Sequence, residues 1–325
     1  MIQIAQLRGY ELQRLFQYEL SEVSMLFDEH DLFVKANKST LMHELENILD
    51  PAEHNTFHQD NTTVFIFDVI NCLRKVISKD KTTFGDVATA YITYTSTLTQ
   101  LASRTDHVFD SYHECSPKDA ERLKRQTSNV IEFAKIFSDV RLPVQIDTFW
   151  PSSSNKLLLQ QHIAESFKSL LTSNPKCQLH IFSAFSGSQQ EISVNCTSVQ
   201  RGVQAIRSDL DRLSIEEADY RMLVHAEHAA KQGLKKIVFV TADTDIMVLS
   251  LFHCQKLLSI GVNEIWLRTG VGDSTRVIPI HKLAENLGQT CVLYCLHYML
   301  YQVQIHHHHH HHRFTSIFHT KARIR

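Results

Sequence analysis

Short apolar runs recur through the middle of the chain, and three of them end at or run into acidic residues. Val64-Phe65-Ile66-Phe67 stops at Asp68, and His107-Val108-Phe109 stops at Asp110. Lys236-Ile237-Val238-Phe239-Val240 runs into Thr241-Ala242-Asp243-Thr244-Asp245. Runs of this length with β-branched and aromatic residues predict buried strands. Two further strands are expected over 178–185 and 264–267. Between the strands lie helical stretches: a segment after Asp68, then 84–103, 155–171, 215–232, 244–254 and 280–287. Gly233 and Gly288 follow two of these, as helix C-termini favour. Strands alternating with helices predict an α/β domain, a parallel central sheet with helices on both faces.

The flanks read differently. Residues 1–60 form a polar helical N-terminal region, with amphipathic stretches at 10–27 and 41–49. Residues 111–155 hold Pro117, Pro143 and Pro151 and read as a helical insertion followed by loop. Residues 186–213 are rich in Ser and Gln, then helical. The expected organisation is therefore 1–60 helical, 61–290 the α/β domain, and 291–325 an atypical tail. That tail contains seven consecutive histidines, 306–312, which will take up transition metals whatever its role.

Composition narrows the chemistry. Among 325 residues, 43% are hydrophobic, enough for a substantial core. Only nine glycines occur, and neither GxGxxG nor GxxxxGK[ST] is present, which argues against dinucleotide or P-loop nucleotide cofactors. A formal charge of −2 supplies no global basic field, so any nucleic-acid contact needs a local patch. The seven cysteines form no CxxC, and no secretory h-region is seen at the start, so the expectation is reduced thiols in an intracellular protein of nucleus or cytoplasm, with no membrane partner. Cys291, Cys295 and His297 could form a zinc site, although neighbouring core thiols explain that spacing as well.

In open α/β sheets, ligands bind at the carboxyl ends of the strands. Asp68, Asp110, Asp243 and Asp245 all fall there, and Glu217 and Asp219 begin the 215–232 helix. Six carboxylates around one point raise each other's pKa and call for cations. Mg²⁺ or Mn²⁺ takes oxygen ligands, and a two-ion arrangement serves phosphodiester hydrolysis. Each acid also has a simpler reading. Ser214 and Glu217 fit a capping box, and Asp68, Asp243 or Asp245 would cap the helix that follows.

The segment Val238–Leu249, with its Asp243-Thr244-Asp245, resembles the strand–DxD–helix segment of the PIN-like, flap-endonuclease-like nuclease superfamily. Glu216-Glu217-Ala218-Asp219 resembles the acidic helix start preceding it. Arg276–Ala284 is similar to a segment of a PIN-like lineage in uncharacterised, often mobile-element-associated animal proteins. The resemblance spans roughly residues 60–290. It implies that Asp68, Asp110, Glu217 and Asp219 bind one metal ion and that Asp243 and Asp245 bind a second, with Glu216 at most behind them. It also implies that Lys118, Lys124 and Arg125, in an arch-like stretch with Arg122, contact DNA or RNA phosphates. A solvated charged helix face accounts for these cations equally well.

Two positions depart from the pattern: Tyr220 replaces a smaller polar residue, and no acid matching the lineage's downstream aspartate follows Asp273. The tail reads as a truncated or frame-shifted end. A catalytically impaired, mobile-element-derived binding or interaction protein is thus the alternative expectation. A third reading makes Asp243 the nucleophile of a haloacid-dehalogenase-like phosphatase, but Met247 stands where Thr or Val is normal and the motif comes late.

Overall fold

The computed structural model describes residues 38–54, 56–77, 80–110, 130–171, 179–183, 192–195, 202–204, 218–270, 272–288, 292–293 and 295. Apart from Lys38 they belong to one compact unit, Ser39–Leu296. In chain order the elements are α1 (Lys38–Glu46), β1 (Thr63–Asp68), α2 (Val69–Val76), α3 (Phe84–Leu98), β2 (Arg104–Val108) and α4 (Ser153–Leu171). There follow β3 (Leu179–Ser183), β4 (Ile192–Asn195), β5 (Gly202–Gln204), α5 (Ala218–Lys231), β6 (Lys236–Val240) and α6 (Thr244–Ile260). The last are β7 (Glu264–Thr269), β8 (Arg276–Pro279) and α7, residues 280–288.

The strands form one eight-stranded sheet in the order β5-β4-β3-β2-β1-β6-β7-β8. Its centre, β3-β2-β1-β6-β7, is parallel throughout. Both edges turn antiparallel, β8 on one side and the β4–β5 pair on the other. From β1 the chain builds outward through β2 and β3, then returns to place β6 on the other side of β1. The reversal puts the topological switch point between the carboxyl ends of β1 and β6, the place where such sheets open a crevice.

Both faces are covered, as expected of an α/β sheet. Along β1, Val64 and Ile66 face one cluster with α1, α5, α6 and α7, whereas Phe65 and Phe67 face another with α2, α3 and α4. Burying both sides explains why β1 and β6 read as unbroken apolar runs. Thr83 opens α3 with a capping box to Asp86, and Gly261, at φ 114°, closes α6 in a left-handed conformation that an L side chain rarely adopts.

Several boundaries differ from the sequence expectation. The second strand begins at Arg104, three residues early, and ends at Val108, so Asp110 lies just past its end. Arg104, Asp106 and His107 look too polar for a buried strand but are fully buried because they are bonded to one another and to neighbouring elements. The helix expected over 84–103 stops at Leu98, capped at Thr99, and the one expected to end near Cys254 runs to Ile260. The segment 186–213 includes the strands β4 and β5, which were not foreseen. Ser193, Asn195 and Gln204 give these short edge strands little apolar signal. Residues 130–152 are irregular save for one short 3₁₀ turn at Ile146–Thr148. The amphipathic stretch at 10–27, the histidine run, the insertion at 111–129, Cys291 and His297 lie outside the described residues.

Candidate metal centre

The switch-point crevice is lined with carboxylates, and each is placed by the local structure of its element. Asp68 ends β1 and caps α2: its Oδ1 accepts from the Asn71 amide at 3.1 Å. Its Oδ2 accepts from the Thr241 hydroxyl at 3.0 Å. Asp243 caps α6 by accepting from the Asp245 amide at 2.9 Å. Asp110, beyond β2, accepts at Oδ1 from the Ala218 amide at 3.1 Å and so meets the start of α5. Asp219 occupies the first turn of α5. Capping and clustering are therefore not alternatives here, since the strand–helix junctions that need caps are the ones the topology gathers at one edge.

Asp219, Asp243 and Asp245, all half-buried, bring one carboxylate oxygen each to within 4.8 Å of one another. Burial first, then the charges of Asp243, Asp68, Asp245 and Asp110, pushes Asp219 up to about 8. Asp68 rises to about 6, chiefly through burial and the charges of Asp110 and Asp243, against the hydrogen bonds from Asn71 and Thr241. Five acids thus share one electrostatic neighbourhood, and three of them form a set of ligand atoms able to hold a metal ion. An all-carboxylate oxygen set of this kind suits a hard divalent cation, whose charge would offset the crowding.

Of the residues expected at this site, the structure brings Asp68, Asp110, Asp219, Asp243 and Asp245 to the same edge. Glu217, together with Glu216, lies outside the described residues, as do Lys118, Arg122, Lys124 and Arg125. Asp273 sits exposed in a 3₁₀ turn, Gly272–Ser274, after β7.

Sequence reasoning missed the residues that hold the acids in place. Thr241, fully buried, donates to Asp68 and accepts from the Asp243 amide at 3.1 Å, so one hydroxyl couples β1 to the DxD turn. Asn71 Oδ1 accepts from the Ala242 amide at 3.2 Å. Lys75 Nζ donates to the Gly270 carbonyl at 3.2 Å, and burial lowers its pKa. Gly270 has φ 87°, and a Cβ there would meet the Ser274 carbonyl oxygen at 2.1 Å. Only glycine fits that turn.

Beneath the acids lies a buried polar chain. His225 Nδ1 meets Asp106 Oδ2 at 2.7 Å, and its Nε2 meets Ser183 Oγ at 2.8 Å. Arg104 grips Asp106 with two bonds, Nε to Oδ1 at 2.7 Å and Nη2 to Oδ2 at 2.6 Å. It also reaches His228 Nδ1 at 2.9 Å and donates to Gln232 Oε1 at 2.8 Å. Burial opposes ionisation of Asp106, yet Arg104 and His225 hold its carboxyl well below the usual range. Serine, histidine and aspartate are ordered here as in a nucleophilic triad, but Ser183, His225 and Asp106 are only 2%, 0% and 0% exposed. With no room for a substrate at that hydroxyl, the chain instead locks α5 onto β2 and β3, which fixes Asp219 relative to Asp110.

Among the described residues, no helix is long and apolar enough to cross a membrane. Compared with known proteins, the chain matches no family model and no curated sequence.

Proposed function

We propose that the chain is a divalent-metal-dependent nuclease of the PIN-like, flap-endonuclease-like type, hydrolysing phosphodiester bonds of DNA or RNA. The observation that carries this reading is the meeting of acids from β1, the β2 end, the α5 start and the β6–α6 turn at the switch point of a mostly parallel sheet. The sheet is compatible with the PIN-like fold that the DxD segment resembles.

Asp219, Asp243 and Asp245 are the residues that would hold Mg²⁺ or Mn²⁺, with Asp68 and Asp110 adding charge beside them. Such an ion supplies Lewis-acid stabilisation of phosphate charge and a water acidic enough to attack at neutral pH. The protein's part is positional. Thr241 and Asn71 fix the DxD turn on β1 and α2, and the Asp110–Ala218 bond fixes the head of α5. The raised pKa of Asp219 favours its protonated form without a cation, and it would give up that proton on becoming a ligand. In this mechanism no side-chain nucleophile is needed, which fits a site built of carboxylates.

The test is cleavage of end-labelled single-stranded, flap and duplex DNA, and of RNA, by the full chain in millimolar Mg²⁺ or Mn²⁺. That excess covers what the histidine run takes up. Cutting that stops on chelation supports the reading. A folded chain that binds nucleic acid and cuts none of these substrates overturns it in favour of a binding protein that keeps the fold.

A further inference from the structure

The short helix α2 does not run back under the sheet; it crosses the sheet's carboxyl edge. It starts at Asp68 on β1, meets Ala242 after β6 through Asn71, and reaches Gly270 after β7 through Lys75. Its last turn carries Arg74, whose guanidinium carbon lies 5.2 Å from the centre of the Trp150 ring. Opposite stands the first turn of α4, with Lys156 buried to 8% exposure. Between these walls is a cleft of about 460 Å³, with Ile77, Ile146 and Pro151 as apolar lining and Asp147 at its rim. That volume is in the range of small-molecule sites.

The Asn155 side chain ties the start of α4 to the segment that carries Trp150. Asn155 Nδ2 donates to the Ile131 carbonyl at 2.7 Å and to the Phe149 carbonyl at 3.1 Å, and its Oδ1 accepts from the Phe133 amide at 2.9 Å. Phe149 packs edge-on against Trp150, 5.3 Å between ring centres. The cation–π contact with Trp150 positions the Arg74 guanidinium at the cleft, where its N–H donors suit an anion. Two cations beside an aromatic and an aliphatic surface suit a ligand that joins a phosphate to a flat ring.

We propose that this cleft holds one nucleotide of the strand that the acid cluster cuts. Arg74 and Lys156 take its phosphate, and the base lies against the Trp150 edge, Ile77 and Ile146. The Asp147 carboxylate is placed to accept from a base amino group or a sugar hydroxyl. The inference rests on the nuclease reading and adds to it a second contact point. Arg74 is six residues from Asp68, about 9 Å along a helix at ~1.5 Å per residue. Lys156 is four residues before Gln160, whose Nε2 donates to the Asp110 carbonyl at 3.1 Å. Cleft and acids therefore share one rim, about three nucleotides apart at ~3.4 Å each in a stacked strand.

The experiment is fluorescence anisotropy of labelled ten-nucleotide oligo-dT and oligo-U with the full chain in EDTA, where nothing is cut. Arg74→Gln is expected to weaken binding about tenfold, as loss of a charge-assisted bond does, and to lower the salt slope by about one phosphate contact. Arg74→Lys should restore part of the affinity, and Asp139→Asn, at an exposed position outside both the cleft and the acid cluster, should bind as the parent does. Since the chain has only two tryptophans, Trp266→Phe leaves Trp150 as reporter, and its emission should quench on oligonucleotide addition. Unchanged affinity and salt slope in Arg74→Gln overturn the proposal. So does quenching by adenosine monophosphate with none by either oligonucleotide, which would make the cleft a free-nucleotide site. If the chain cuts nothing in Mg²⁺ or Mn²⁺ yet Arg74 governs strand binding, the nuclease reading fails and the cleft assignment stands.

Discussion

Acidification should weaken the fold through its buried histidines, and replacing one of them isolates the effect. His107 Nδ1 pairs with the Tyr91 hydroxyl at 2.8 Å and its Nε2 with His180 Nδ1 at 3.1 Å, while its ring stacks 4.4 Å from Phe182. Burial and the neighbouring His180 drive the pKa of His107 well down, partly offset by Asp106 and reinforced by His225. Burial likewise brings His180 to about 4 and lowers His225, although the Asp106 hydrogen bond works against the latter shift. A histidine whose folded pKa lies below its unfolded value of about 6.5 contributes stability fully above that pH. The contribution is lost as pH falls, because the unfolded chain then binds the proton first. Between pH 7.5 and 5.0 the loss is about 2 kcal/mol for a histidine that stays neutral when folded, against an ordinary stability margin of about 5–15 kcal/mol.

Asp68 and Asp219 act in the opposite direction, since protonation relieves their crowding, so the raw pH curve mixes both effects. His107→Phe separates them. The variant loses two hydrogen bonds at every pH, at a cost of about 1–3 kcal/mol, but it also removes one titrating group. Urea unfolding at pH 7.5 and 5.0 should show an acid-induced loss smaller by about 2 kcal/mol in His107→Phe than in the parent. Equal losses in the two proteins would refute the claim that His107 is held neutral.

Three further outcomes are expected. Thr241→Val should lower divalent-metal affinity about tenfold, as loss of a residue that orients ligands does, measured by calorimetry, with little change in secondary structure. His225→Asn should cost about 2 kcal/mol in urea unfolding by removing the ring that bridges Asp106 and Ser183, leaving Asp106 to Arg104 alone, and cutting should fall with it because α5 carries Asp219. Apparent metal affinity should rise with pH up to about 8, where Asp219 loses its proton, and should fall roughly tenfold per unit below that; a flat profile between pH 6 and 8 would contradict the raised carboxyl.

Much of the framework was legible because apolar strands buried on both faces announce themselves. β1 and β6 are such strands, and the strand-end rule then pointed to Asp68, Asp243 and Asp245, which the structure gathers at one edge. β2 was half hidden because Arg104, Asp106 and His107 are buried by pairing rather than by hydrophobicity. That pairing joins residues as far apart as Asp106 and His225, a relation no local pattern reveals. The same holds for Thr241 and Asn71, whose partners on β1 and the DxD turn are about 170 positions away. Trp150 and Arg74 were equally invisible as a pair until α2 was seen to cross the sheet edge. The antiparallel strands β4, β5 and β8 are too short, at 4, 3 and 4 residues, to mark themselves by pattern.

The central claim, that the clustered acids make a metal-dependent phosphodiesterase, is tested most directly by single-turnover cleavage of a labelled strand in Mn²⁺. Asp219→Asn and Asp243→Asn are compared with the parent and with the exposed Asp139→Asn. The account predicts a loss of about a hundredfold or more in the first two, in line with removal of a group that stabilises transition-state charge, and full activity in the third. Cutting that survives Asp243→Asn, or that continues in EDTA, would contradict it.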